Sequence, residues 1–335
     1  MIKRLEFIDL LRGLAIVLMV INHAGHYLTA RPINDWAYLL VYLTVTMAAP
    51  LFLFLVGFSL ALSHQKNPVQ DFSRYLKRGL ILILFGYLIN LFFYLDEPLY
   101  RGRVLFAIGL SIVLAYPFLK LSAKKHFSLW LASLAVIGLA SFTLFYPALQ
   151  IFSNFHPVWA EIFLIEYPIY PWFFLVLLGL AAGHDYVTAK EGSQAGLVRG
   201  WLMTGMFLLL AWLILTIGYQ PLSPFSFNND LILNNCWNPS LITWFLVLGM
   251  IYLFLAISHL IVKKKYILTS ALELIGRHAL TMYFLQFFVI KTIGNGLLGI
   301  GLGSELVFSF AVVVISLILV VVALEIDKNR NIKRN

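Results

Sequence analysis

Asp9, Arg12, His23 and His26 lie in the first long apolar run of the chain, within Phe7-Ile8-Asp9-Leu10-Leu11-Arg12-Gly13 and Ile21-Asn22-His23-Ala24-Gly25-His26. An ionisable side chain in hydrocarbon costs about 2.5 to 3.5 kcal/mol on insertion scales, so a plain membrane anchor avoids such residues and a working site keeps them. At 100° per residue, Asp9, Arg12, Met19, His23 and His26 fall on one helical stripe roughly 100° wide. That stripe is expected to face protein. An imidazole that titrates near neutrality can deprotonate a hydroxyl or amine, or accept an acyl group itself. His23 is therefore the candidate catalyst, with Asn22 and His26 beside it. Asp9 and Arg12, three residues apart, can neutralise each other, either as a structural ion pair or as the lining of a substrate path. From Arg12 to His23 the helix rises roughly 16 Å at about 1.5 Å per residue. A reaction that uses both ends needs a long substrate.

Such residues need a scaffold that crosses a bilayer. The 335 residues are 61% hydrophobic and 12% charged, with a mean hydropathy of +0.89, which marks an integral membrane protein and leaves no soluble domain of useful size. Ten hydrophobic segments are predicted: 7–28, 36–64, 79–95, 104–119, 128–146, 169–183, 201–218, 240–262, 279–290 and 305–326. The expected fold is an all-α bundle of about ten transmembrane helices forming a single domain over residues 1–335. Of the 24 lysines and arginines, only Arg31, Arg101, Arg103 and Lys291 fall in one set of alternate loops; Arg12 is in the membrane and the rest share the other set. This bias puts both termini in the cytoplasm of a multi-pass cell (plasma or inner) membrane protein. The net charge of +9 is then a topology signal, and nucleic-acid binding is excluded.

Smaller features refine this plan. Trp36, Trp172, Trp237 and Trp244 fall near predicted outer ends, as an interfacial belt requires. Pro50 is expected to kink or split the second segment. The first apolar run carries charges and no small-residue cleavage site follows it, so no cleavable leader is expected. Cys236 is the one cysteine and no ligand spacing suggests a metal. Arg74, Lys77 and Arg78 share a helical face and suit nucleotide phosphates, although ordinary topology charges look the same. The outer connections Pro147 to Pro168 and Tyr219 to Pro239 hold His156, Trp159, Glu161, Glu166, Asn228, Asn229, Asp230, Asn234, Asn235 and Trp237. Aromatic faces with amides and acids suit a sugar, and acids attract an amine; polar outer loops of no function read alike.

The Ile8-Asp9-Leu10-Leu11-Arg12-Gly13 opening, the spacing of Arg12 to His23 and the ten-segment plan resemble the transmembrane acyltransferase superfamily. The likeness is closest to bacterial relatives of heparan-alpha-glucosaminide N-acetyltransferase, related to the acyltransferase-3 group. It is carried further by residues 49–57 (Ala49-Pro50-Leu51-Phe52 onward), 104–110, 167–172 (Tyr167-Pro168-Ile169-Tyr170-Pro171-Trp172) with Gly179 and Gly183, and 276–286 (Gly276-Arg277-His278-Ala279 to Gln286). The resemblance implies that an acetyl or other acyl group passes from cytoplasmic acetyl-CoA to an acceptor on the far side, and a CoA arm supplies the long substrate. By similarity His23 takes the place of the histidine in the O-acyltransferase group's arginine-to-histidine motif. In the animal N-acetyltransferase an asparagine stands there and the catalytic histidine comes later, near Asn34 here.

Two function classes follow. The first is a membrane acyltransferase in which Arg74, Lys77 and Arg78 hold CoA phosphates, Asp9 and Arg12 line the passage, and His23 acts with Asn22 or His26. Its partners are acyl-CoA, membrane lipid and an extracytoplasmic glycan or small-molecule acceptor; a homodimer is compatible with the sequence. The second is a transporter or flippase for a lipid-linked sugar or small polar substrate, whose membrane charges line a translocation path; no internal repeat supports it.

Overall fold

The computed structural model describes residues 4–28, 35–68, 71–163, 167–190, 192–219, 241–291 and 305–332, with side chains at 25–28, 35–46, 143, 146, 147, 150, 219, 305–311 and 329–332 outside that description. The described residues form helices and no strands: α1 (Glu6–Leu28), α2 (Asp35–Lys66), α3 (Phe72–Phe93), α4 (Val104–Leu119), α5 (Phe127–Phe155), α6 (Pro157–Phe163), α7 (Ile169–Thr188), α8 (Gln194–Tyr219), α9 (Leu241–Ile261), a 3-10 turn (Val262–Lys264), α10 (Ile267–Arg277), α11 (Ala279–Phe287) and α12 (Glu305–Ile332). A helix covers each of the ten apolar segments. Five described spans are long and apolar enough to cross a membrane: Glu6–Ala24, Met47–Lys66, Phe72–Phe93, Gln194–Gly218 and Leu241–Lys264. Val104–Leu119, Phe127–Phe142 and Ala279–Lys291 are shorter apolar helices. Two helices were not foreseen, α6 and α10.

The chain divides into two compact units, Phe52–Leu253 and a second made of Arg4–Leu51 with Phe254–Asn335. Pro50 does not split α2, which is continuous from Asp35 to Lys66. A proline removes one backbone donor, and close packing around Met47 to Leu51, all buried, keeps the helix running.

In the first unit α7 is the central helix, buried along most of its length from Pro171 to Gly183. It touches α2 backbone to backbone: a Cβ on Gly57 would stand 1.8 Å from the Val176 carbonyl oxygen, and one on Gly179 would stand 1.9 Å from that of Phe54. Lipid tails are as apolar as leucine, so helices in a bilayer gain by such close small-residue packing. On α8, Met203, Phe207, Leu210, Ile214 and Ile217 make an exposed apolar stripe. Hydrocarbon is the solvent that suits it. Trp172 and Trp244 are buried against each other edge to face, with ring centroids 5.4 Å apart; that arrangement satisfies the aromatic quadrupoles. The side chain of Trp36 and the whole of Trp237 lie outside the described residues.

Candidate active site

Within the second unit α1 packs against α10, α11 and α12. Two glycines set the approach of α1 to α10. A Cβ on Gly13 would stand 1.8 Å from the Leu272 carbonyl oxygen, and one on Gly276 would stand 1.7 Å from that of Asp9. Only hydrogen fits at either place.

Asp9 is held at both its ends. Its side chain is 2% exposed and accepts hydrogen bonds from Arg4 Nε and, at 2.7 Å, from Arg12 Nη1. Two guanidiniums on one carboxylate make the buried charge tolerable. Asp9 is thus a fixed anchor for Arg12, whose own side chain is about a quarter exposed. Of the expected stripe, Asp9 and Met19 are buried and Arg12 and His23 are half-buried.

A second charge cluster lies alongside. Glu273, buried on α10, accepts from Arg277 and lies 3.5 Å from Lys265 Nζ, which also donates to Glu6 at 2.9 Å. The hydrogen bond to Glu6 holds the Lys265 ammonium above its ordinary value, and Glu273 adds to the effect. Arg277 is likewise raised, first by its hydrogen bond to Glu273. Asp327 of α12 lies 3.8 Å from Arg277 Nη1 and 3.7 Å from His278 Nε2, which ties α12 to the same cluster.

At the other end of α1, the His23 ring meets Phe287 of α11 at 4.5 Å between centroids, tilted by 42°. Phe287 in turn contacts Tyr283 at 5.3 Å. Met282, Tyr283, Gln286 and Phe287 form the buried face of α11. Among them Gln286 is fully buried, and neither its amide nitrogen nor its amide oxygen has a hydrogen-bond partner among the described residues. Asn22 is half-buried beside His23. The His26 side chain and Asn34 lie outside the described residues.

The remaining expected residues belong to the first unit. Arg74, Lys77 and Arg78 are exposed near the start of α3, and Arg78 Nη1 lies 3.5 Å from Ser63 Oγ. Tyr75 is buried among them, with its ring 5.2 Å from that of Tyr116.

The outer connection from Pro147 to Pro168 is largely helical, since α5 continues to Phe155 and α6 follows. Glu161 grips Arg101 through both carboxylate oxygens, at 2.6 and 3.1 Å, and its carbonyl accepts from Gly102 N at 2.9 Å. Its carboxylate is therefore committed to the protein and does not stand ready for an amine. Arg103, nearly buried beside it, donates to Glu97 and to Asn90 Oδ1, the latter at 2.8 Å, and covers the Tyr94 ring. Trp159, half exposed, stacks on Phe163. Glu166 and residues 228–237 lie outside the described residues.

Sequence reasoning missed Glu273, Gln286 and the pairing of Arg101 with Glu161. Gln286 alone had a visible signal, a carboxamide five residues before Lys291 in a mostly apolar helix.

Apolar helices with exposed apolar stripes, carrying a buried carboxylate paired with arginines and a histidine packed on a neighbouring helix, mark a helical membrane protein with polar groups in its interior. A family model described as Heparan-alpha-glucosaminide N-acetyltransferase, catalytic, matches residues 4–217, more than half of the chain. The chain belongs to that family, which points to a membrane acetyltransferase. Comparison with curated proteins returned no significant match.

Proposed function

We propose that this protein transfers an acetyl group from cytoplasmic acetyl-CoA to a sugar amine or hydroxyl on the far side of the cell membrane, the whole chain acting as one transmembrane domain of ten spans with both termini cytoplasmic. Arg74, Lys77 and Arg78 would bind the CoA phosphates with charge-assisted hydrogen bonds. Arg12, held by Asp9, would guide the pantetheine arm. His23 would take the acceptor's proton as general base, or carry the acetyl group transiently, with Asn22 or His26 beside it. No metal takes part in this scheme.

The observation that carries the reading is the layout of α1: an anchored Asp9 and Arg12 pair toward one end and a half-buried His23 toward the other, in a chain of this family. The separation suits a donor that is long and thin. Radiolabelled acetyl-CoA, incubated with membranes containing the protein, should label an acceptor. The His23→Ala protein should transfer no label, yet acetyl-CoA should still raise its melting temperature, because a ligand that binds the folded state stabilises it. Transfer by His23→Ala at the wild-type rate would overturn the assignment of the histidine.

A further inference from the structure

Gln286 is the least explained polar group of the second unit. Its carboxamide is 0% exposed, and both its nitrogen and its oxygen are unpartnered among the described residues. Native structures leave few buried polar groups unpaired, and each such group calls for a cause. Among the described residues no structural cause is found, since the amide makes no hydrogen bond there that could pin one helix to another. A leucine of similar volume would pack there at no polar cost.

Position supplies a cause. Gln286 and Phe287 are neighbours on the buried face of α11, α11 packs on α1, and the Phe287 ring lies against that of His23. The unpaired amide thus belongs to the residue next to the one whose ring packs on the candidate base. A carboxamide N–H is neutral, does not titrate, and belongs to the donor types that stabilise a developing oxyanion.

We infer that the Gln286 amide donates a hydrogen bond to the carbonyl oxygen of the acetyl thioester and stabilises the oxyanion formed on transfer, an inference that rests on the acetyltransferase reading above. In the step, the acceptor's nitrogen or oxygen forms a bond to the thioester carbonyl carbon while His23 removes its proton. The carbonyl oxygen takes up the electron pair and is held by Gln286. The pair then returns, the carbon–sulfur bond breaks, and the CoA thiolate leaves with the proton from His23. The products are the acetylated acceptor and free CoA.

The test uses the purified full-length protein with acetyl-CoA and with CoA, which lacks the carbonyl. Wild type should be stabilised more by acetyl-CoA than by CoA, and Gln286→Leu should respond equally to both. Gln286→Leu should melt no lower than wild type without ligand, since it loses two unpaired buried atoms. Its kcat should fall about 100-fold or more with little change in KM for acetyl-CoA, as loss of one oxyanion donor does elsewhere. Gln286→Asn, which keeps the amide, should recover part of kcat. Wild-type kcat in Gln286→Leu, or a preference for acetyl-CoA over CoA that survives in it, overturns the inference. So does a lowered melting temperature with Gln286→Asn as inactive as Gln286→Leu, the mark of a structural role. If the leucine protein does not fold, the acetyl-CoA preference of Gln286→Asn decides. A wild type that neither transfers acetyl nor distinguishes the two ligands fails the acetyltransferase reading and takes this one with it; an active wild type with an unaffected variant fails this one alone.

Discussion

Gly276 of α10 lies directly on the backbone of Asp9, so close that a Cβ there would stand 1.7 Å from the Asp9 carbonyl oxygen. The same aspartate is clasped through its side chain by Arg4 and Arg12. One residue is thereby fixed through both backbone and carboxylate, and Arg12 inherits that position.

Gly276→Ala should therefore force α1 and α10 apart. Overpacking of this kind costs about 1 to 3 kcal/mol. A lowered melting temperature together with reduced acetyl transfer is expected; a variant that melts and turns over like wild type would mean that the contact is loose.

Asp9→Asn should be more damaging than its size suggests. Removing the buried carboxylate leaves the partly exposed Arg12 guanidinium uncompensated and costs up to about 3 kcal/mol. The double substitution Asp9→Asn with Arg12→Gln should regain part of the loss, which thermal melting of the single and double variants measures.

Arg74, Lys77 and Arg78 are exposed, and their replacement by glutamine should leave folding nearly intact. Under the proposed role the triple variant should raise KM for acetyl-CoA about tenfold or more, charge-assisted hydrogen bonds being worth about 1.5 to 3 kcal/mol each. Added salt should weaken the wild type toward the variant. An unchanged KM would return these residues to topology alone.

Glu161→Gln separates a structural acid from a substrate-binding one. The bidentate grip on Arg101 predicts a lower melting temperature, by about 1 to 3 kcal/mol of stability, with the KM for the acceptor unchanged. A raised acceptor KM at unchanged stability would contradict the structural assignment.

Lys265 gives the pH dependence. Its folded pKa is raised, chiefly by the hydrogen bond to Glu6, so its stabilising contact is fully present below the ordinary value of 10.5 and is lost as pH rises through the folded value. Melting temperature above pH 10.5 should fall more steeply for wild type than for Lys265→Met. Parallel curves would show that the contact contributes nothing.

The helices over the ten apolar segments were legible because membrane-length runs can do little else. The paired Asp9 and Arg12 were legible because partners three residues apart meet on any helix. Contacts between distant residues were not. Arg101 and Glu161 lie 60 positions apart in the chain, and no local pattern announces such a pair. α10 was hidden by its flanks: Lys263 to Lys265 and Arg277 read as a basic loop, and its eleven residues are too few for a hydropathy signal. α6 offered a usable clue in Pro157 at its first position, where a proline starts a helix well. Gln286 stood in plain sight, but nothing short of a fold reveals that an amide has no neighbour to bond.

The Arg4, Asp9 and Arg12 cluster also has a history that follows from the order of synthesis. Its members come from a single short stretch of chain, whereas Glu6 and the Lys265 that joins it are 259 residues apart. At about 5 to 20 residues per second, the ribosome needs on the order of ten seconds to a minute to make that interval. During that time the first helix must reside in the bilayer before α10 to α12 exist to cover it. Because its aspartate brings its own arginines, the helix can be inserted with the carboxylate already neutralised and wait for the rest of the unit to close over it.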